Sequence, residues 1–280
     1  MLVFANLVKF SHSIFALPFA LSMFIVVSNE YSTNYMQFFW ILAALVSART
    51  AAMAFNRLLD RHIDAKNPRT AARELPRKAV SVYGVQKLII ISSLVFFLSS
   101  LQLGMHCLYL SPLVLAFLFF YSYTKRFTKF SHLILGAALA MAPGGVWYAL
   151  TAELAWLPVI MMTAVLFWVA GFDIIYSCQD KDFDKANSLF SMPATLGVQR
   201  ALKLARIFHI FTALLLFYFG FVLNYGAIYF ISVSIFSLLL LNQHFIVQPH
   251  DLSKADSAFF TRNAAAGFIY FLGIVAESLL

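Results

Sequence analysis

Asn56, Asp60 and Asp64 stand four residues apart, and a second acidic run, Asp173, Tyr176, Asp180 and Asp184, advances by three, four and four. On an α-helix turning about 100° per residue, each set falls on one face. Asp182 points away from its neighbours in that register and reads as a solvated charge. Hard divalent cations such as Mg2+ take oxygen ligands, commonly one or two carboxylates plus substrate phosphates. Two such clusters suit a diphosphate bridged by metal ions, with Arg and Lys nearby to stabilise its departing oxygens. A lone DxxxD is more often a loop acid balancing neighbouring bases. Two of them, each at the end of an apolar segment and each at helical spacing, point to a site.

The elements that must position these residues are membrane helices. Of the 280 residues 62% are hydrophobic and 11% charged, with mean hydropathy +0.82 and 31 Phe, a composition that excludes an ordinary soluble core. Apolar runs mark candidate spans at roughly 12–28, 36–56, 86–104, 106–122, 132–150, 156–178, 203–223, 226–247 and 263–280. The expected fold is therefore all-α and integral to the membrane, a bundle of about nine transmembrane helices with cytoplasmic cap loops, forming one polytopic domain over 1–280. The pair of spans meeting at Gly104 and His106 has almost no connector and reads as two helices or one broken helix. The connector from Arg57 to Gly84 is long, and part of it is expected to form short helices. Gly136, Gly144, Gly145 and Pro143 are expected to serve close helix packing or a kink. The N-terminal apolar run has no A-x-A-like cleavage site and is expected to stay attached. Cys107 and Cys178 show no metal-ligand spacing and no disulfide framework.

The connections at Asn29–Tyr35, Gly104, Thr151–Ala155 and Asn224–Gly226 contain no Lys or Arg, whereas those on the opposite side hold nearly all of the 20 such residues. The basic side is expected to be cytoplasmic and to include the N-terminus and both acidic runs. The net charge of +8 then anchors spans or meets anionic lipid rather than nucleic acid. A divalent-cation transporter also carries intramembrane acids, but it places them near the bilayer midplane, not at one end beside many bases. Arg49 lies seven residues before Asn56, on the same face and deeper. It is either a partnered functional group facing the bundle or a side chain snorkelling to the headgroups.

These residues resemble the UbiA-type membrane prenyltransferases, whose paired signatures are NDxxDxxxD and DxxxD. Here they read Asn56-Arg57-x-x-Asp60-x-x-x-Asp64 and Asp180-x-x-x-Asp184. The likeness continues through HSIFALPFA at His12–Ala20, NPRTAAREL at Asn67–Leu75, YSYTKRFT at Tyr121–Thr128 and QPHDLSKADSAFFTRN at Gln248–Asn263. Two positions depart from the pattern: Arg57 replaces a possible metal ligand, and Glu74 stands where Pro is common. An Asn-Arg start resembles the 4-hydroxybenzoate polyprenyltransferase branch.

The resemblance implies transfer of a polyprenyl group from its diphosphate to an aromatic ring carbon in respiratory quinone biosynthesis, at a bacterial inner membrane. It implies Mg2+ held by Asp60, Asp64, Asp180 and Asp184, with Asn56 assisting. The implied partners are a polyprenyl diphosphate, a small aromatic acid acceptor and the lipid bilayer. A naphthoate acceptor of menaquinone biosynthesis is the alternative. Lys125 and Arg126, and likewise Arg69 and Arg73, either clamp diphosphate oxygens or anchor the cytoplasmic face. Asp173, being deeper, is expected to orient a partner such as Lys or Tyr, with Tyr176 beside it on the substrate side. Lys9 and His12, at the start of the first span, are candidates for binding the acceptor.

Overall fold

The structure, a computed structural model, describes residues 2–8 and 17–280. The elements in chain order are α1 (Leu2–Leu7), α2 (Leu17–Ser28), α3 (Tyr35–Lys66), α4 (Val82–Leu103), α5 (Met105–Thr124), α6 (Ser131–Thr151) and α7 (Trp156–Ser177). A 3-10 turn (Cys178–Asp180) leads into α8 (Lys181–Ala186), α9 (Met192–Leu196), α10 (Val198–Val222) and α11 (Ala227–Ile246). The chain ends with α12 (Ala255–Ser257), a π-helical turn (Ala258–Arg262) and α13 (Asn263–Ser278). Among the described residues eight helices are long and apolar enough to cross a membrane. The first expected span falls partly outside the described residues and partly on the twelve-residue α2.

Two compact units divide the chain. One comprises Met1–Ser13 with Thr33–Tyr123. Its principal element, α3, starts at a reciprocal cap: Asn34 Oδ1 accepts the Gln37 N–H at 2.9 Å and Gln37 Oε1 accepts the Asn34 N–H at 3.0 Å. No Gly or Pro interrupts it until Pro68, which drives Asn67 into extended backbone and stops the helix. At about 1.5 Å per residue its 32 residues reach ~48 Å, well beyond a hydrocarbon slab of ~30 Å. The excess is the polar end that carries Asn56, Asp60 and Asp64. The helix thus continues ten residues past the expected span limit at 56, and the connector shrinks to 67–81. That connector is a series of turns rather than short helices.

The junction at Gly104 is two helices. Gly104 adopts φ +133, a conformation L side chains avoid. Phe96 of α4 and Leu115 of α5 meet in one cluster with Ala51 of α3. Nineteen residues of one straight helix would hold them ~28 Å apart.

The other unit comprises Ile14–Ser32 with Thr124–Leu280. Its core is an aromatic stack: Phe19 lies 4.9 Å from Trp168 and 4.8 Å from Tyr270, ring centre to ring centre. Such pairs contribute about 0.5–1.5 kcal/mol beyond their buried area. Gly136 of α6 sits directly under the Leu166 carbonyl of α7, where any side chain would collide with backbone, and Gly144 stands against the Met162 side chain. Gly145 faces open space and packs nothing of this kind. Pro143 lies inside α6, which runs unbroken from Ser131 to Thr151.

A buried polar node ties α7, α11 and α13. Asn263 Oδ1 accepts from Trp168 Nε1 and from Gln243 Nε2, both at 2.9 Å. Its Nδ2 donates to the Ala258 and Phe259 carbonyls in the π-helical turn, whose wider winding frees them. Asn263→Leu strands two buried donors at about 1–3 kcal/mol each. A large drop in the thermal midpoint in detergent is expected; an unchanged midpoint would mean the node contributes nothing to stability.

Candidate functional site

The first acidic cluster is built on the last three turns of α3. Asp60 is 2% exposed and Asp64 4%. Asn56 Nδ2 donates to Asp60 Oδ2 and to Ser122 Oγ of α5, each at 3.3 Å. Asn56 is thereby held between the acid one turn ahead and the neighbouring helix. The turn-built connector folds back onto the helix end: Thr70 Oγ1 donates to the Asp64 carbonyl at 3.0 Å, and the Asn67 side chain accepts the Arg69 N–H at 3.0 Å. Those turns deliver Arg73, whose Nη1 donates to Asp64 Oδ1 at 2.7 Å. Arg73 is therefore an orienting partner of the acid in this structure.

The two deeper arginines reach the same short element. Arg49 Nη1 donates to the Val8 carbonyl at 3.1 Å, and Arg57 Nε donates to the Leu7 carbonyl at 3.3 Å. Both satisfy carbonyls left open at the end of α1. Arg57, the departure from the common motif, is 7% exposed and serves this helix end. Lys9 and His12 lie outside the described residues.

The second cluster does not follow one continuous helix. Helix α7 ends at Ser177, the chain tightens into the 3-10 turn, and α8 begins at Lys181. The tighter winding shifts the phase between Tyr176 and Asp184 away from the assumed 100° steps. Asp182 remains 93% exposed with Lys181 Nζ at 3.6 Å, a solvated charge. Tyr176 packs on Phe259 at 4.3 Å. Asp173 pairs with His132, not with a Lys or Tyr: His132 Nδ1 lies 2.7 Å from Asp173 Oδ2. Lys125 is tied through its backbone, its carbonyl accepting the Phe190 N–H at 2.7 Å, and Arg126 follows it.

Among the described residues no three His, Cys, Asp or Glu side chains gather to hold a metal ion. A cation shared with a diphosphate needs fewer: one or two carboxylates, the rest from phosphate and water. The donors present fit that demand. Asp64 Oδ2 is buried with no hydrogen-bond partner among the described residues, while Oδ1 is held by Arg73. A buried carboxylate oxygen left without a donor is costly unless a cation takes it. Outside the site, Asp251 on the connection after α11 has its carboxyl held below the usual range by the Ser253 hydroxyl and N–H, at 2.6 and 3.0 Å.

Sequence reasoning missed Ser122, His132 and Ser191 as supporting residues. Ser122 lies within YSYTKRFT, so a signal existed. His132 carried none, because its partners are 41 and 60 residues away.

A family model described as the UbiA prenyltransferase family matches residues 16–272. A 4-hydroxybenzoate octaprenyltransferase of Haemophilus ducreyi is 28% identical over 236 residues, 84% of each chain. The apo structure of a UbiA homolog from Aeropyrum pernix K1 superimposes with a TM-score of 0.87 at 33% identity, covering 96% of this chain and 98% of that one. A UbiA homolog from Archaeoglobus fulgidus bound to DMAPP and Mg2+ shares the fold, with a TM-score of 0.73 at 18% identity over 99% of both chains. The chain belongs to the UbiA prenyltransferase family, and the protein is an integral membrane enzyme that transfers prenyl groups.

Proposed function

We propose that this protein, as one prenyltransferase domain over 1–280, transfers a polyprenyl group from its diphosphate to a ring carbon of 4-hydroxybenzoate or a closely similar hydroxylated aromatic acid, in respiratory quinone biosynthesis. The observation that carries the diphosphate site is the buried Asp64 carboxylate, one oxygen fixed by Arg73 and the other without a donor among the described residues, one turn from Asp60. The name of the Haemophilus ducreyi relative and the Asn56-Arg57 start support the acceptor. The Lys and Arg asymmetry of the connections supports a site on the cytoplasmic side of an inner membrane, with the N-terminus on that side.

Asp60, Asp64, Asp180 and Asp184 hold Mg2+ in this reading, with Asn56 keeping Asp60 in place. Mg2+ held there would supply positive charge against the diphosphate as the allylic C–O bond breaks. Arg73 holds Asp64 in one orientation, and Lys125, Arg126 and Arg69 supply further positive charge for the diphosphate oxygens. Arg49, Asp173 and Tyr176 are assigned to substrate binding in the same reading. The bonding pair leaves with the diphosphate, and the allylic carbon is attacked by the electron-rich ring carbon. A C–C bond forms, and the ring proton passes to the departed diphosphate, restoring aromaticity.

The test is a side-by-side transfer assay in membranes, with a polyprenyl diphosphate and either 4-hydroxybenzoate or 1,4-dihydroxynaphthoate. Product from 4-hydroxybenzoate alone is expected. Product from the naphthoate alone would move the enzyme to menaquinone biosynthesis. Neither product, with metal uptake by the purified protein in liposomes, would favour transport instead.

A further inference from the structure

His132 lies in the first turn of α6 and is 3% exposed. Its Nε2 accepts the Met192 N–H at 3.2 Å, so the ring proton sits on Nδ1 and is donated to Asp173 Oδ2 at 2.7 Å. The carboxylate fixes tautomer and ring plane together, as carboxylates do behind metal-ligating histidines. Here the ring holds a backbone N–H instead. Ser191 is extended, at φ −132 and ψ 160. In extended chain, alternate N–H groups point the same way. Phe190 N–H is taken by the Lys125 carbonyl at 2.7 Å and Met192 N–H by His132, so both flanks of Ser191 are pinned. The Ser191 side chain in turn hydrogen-bonds the Asp184 carboxylate and accepts the Ala194 N–H at 3.3 Å. Leu189 N–H donates to the Asp184 carbonyl at 2.9 Å, closing the loop on the same residue.

We propose that His132, oriented by Asp173, is a positioning residue for prenyl transfer: through Met192 N–H it fixes the Phe190–Met192 segment so that Ser191 holds Asp184 in its diphosphate-binding orientation. The inference rests on the assignment of Asp184 to the Mg2+-diphosphate site. It explains why a buried histidine on α6 is paired to an acid on α7 and why Ser191 is tied on both sides. A role confined to holding the loop together would lower stability without moving affinity.

The experiment is calorimetric titration of the purified full chain in detergent with inorganic diphosphate in the presence of Mg2+. The variants are His132→Phe, which removes both hydrogen bonds, His132→Gln, which reaches the Nε2 position with an acceptor, and Asp184→Asn. Thermal midpoints are recorded alongside. His132→Phe is expected to bind about 10- to 100-fold more weakly, the loss typical of outer partners of metal ligands. His132→Gln keeps the Met192 bond and is expected to recover most of that affinity. Wild-type affinity in folded His132→Phe, with binding lost in Asp184→Asn, would overturn the positioning role alone. Wild-type affinity in Asp184→Asn would overturn the site assignment beneath it. Should His132→Phe not fold, His132→Asn replaces it, since Asn reaches only the Nδ1 side. Equal affinities for the Gln and Asn variants would then overturn the proposal.

Discussion

Asp60→Asn and Asp180→Asn are each expected to abolish prenyl transfer in membranes while leaving the protein at its normal level. Asn keeps the size and the hydrogen-bonding reach of the acid and removes only the charge. At Asp60, 2% exposed and touched by the Asn56 amide, an Asn still finds a partner, so the helix packing is undisturbed. What disappears is negative charge for a divalent cation at the point where diphosphate charge develops. Removal of one such stabilising group typically lowers the rate about 10²- to 10³-fold. The change is isosteric, so the Asn variants should be about as stable as the parent. Transfer of labelled prenyl group, with immunoblotting of the same membranes, measures both halves. Near-normal transfer in both variants would remove the metal assignment.

Arg73→Met is expected to destabilise the protein by about 3 kcal/mol, the lower end of the range for breaking a buried ion pair from one side. The lower end applies because the Arg73 side chain is 22% exposed whereas that of Asp64 is 6%. With Arg73 gone, neither Asp64 oxygen retains its described partner, since Oδ2 has none to begin with. The midpoint measured in EDTA should fall clearly. Mg2+ with inorganic diphosphate should restore part of it, because a ligand bound only by the native state stabilises by mass action. An unchanged midpoint in EDTA would show that the pair is fully screened by solvent.

What the sequence made legible follows from locality. Helical spans show themselves as continuous apolar runs, and the spacing of Asn56, Asp60 and Asp64 needs only one uninterrupted helix, which α3 provides. The register of the second stripe depended on a continuous helix, whereas the chain tightens at Cys178–Asp180, a phase change no residue pattern announced. The partners of the acids were illegible for a related reason. Arg73 reaches Asp64 only because a series of turns reverses the chain after Pro68, and His132 reaches Asp173 only because α6 packs on α7. The Asn263 node joins residues up to 95 positions apart. The sequence leaves Arg49 between a partnered and a snorkelling side chain; one group it meets, the Val8 carbonyl, directly follows a six-residue helix too short to be recognised from apolar periodicity.

The most direct measurement is transfer in membranes from a polyprenyl diphosphate to 4-hydroxybenzoate, run in parallel with Mg2+ and with EDTA, for the parent chain and for Asp64→Asn. A prenylated product that requires Mg2+ and is lost in the variant is the expected result. Product formed equally well in EDTA, or by the variant, would contradict a reaction driven by metal-bound diphosphate at these carboxylates.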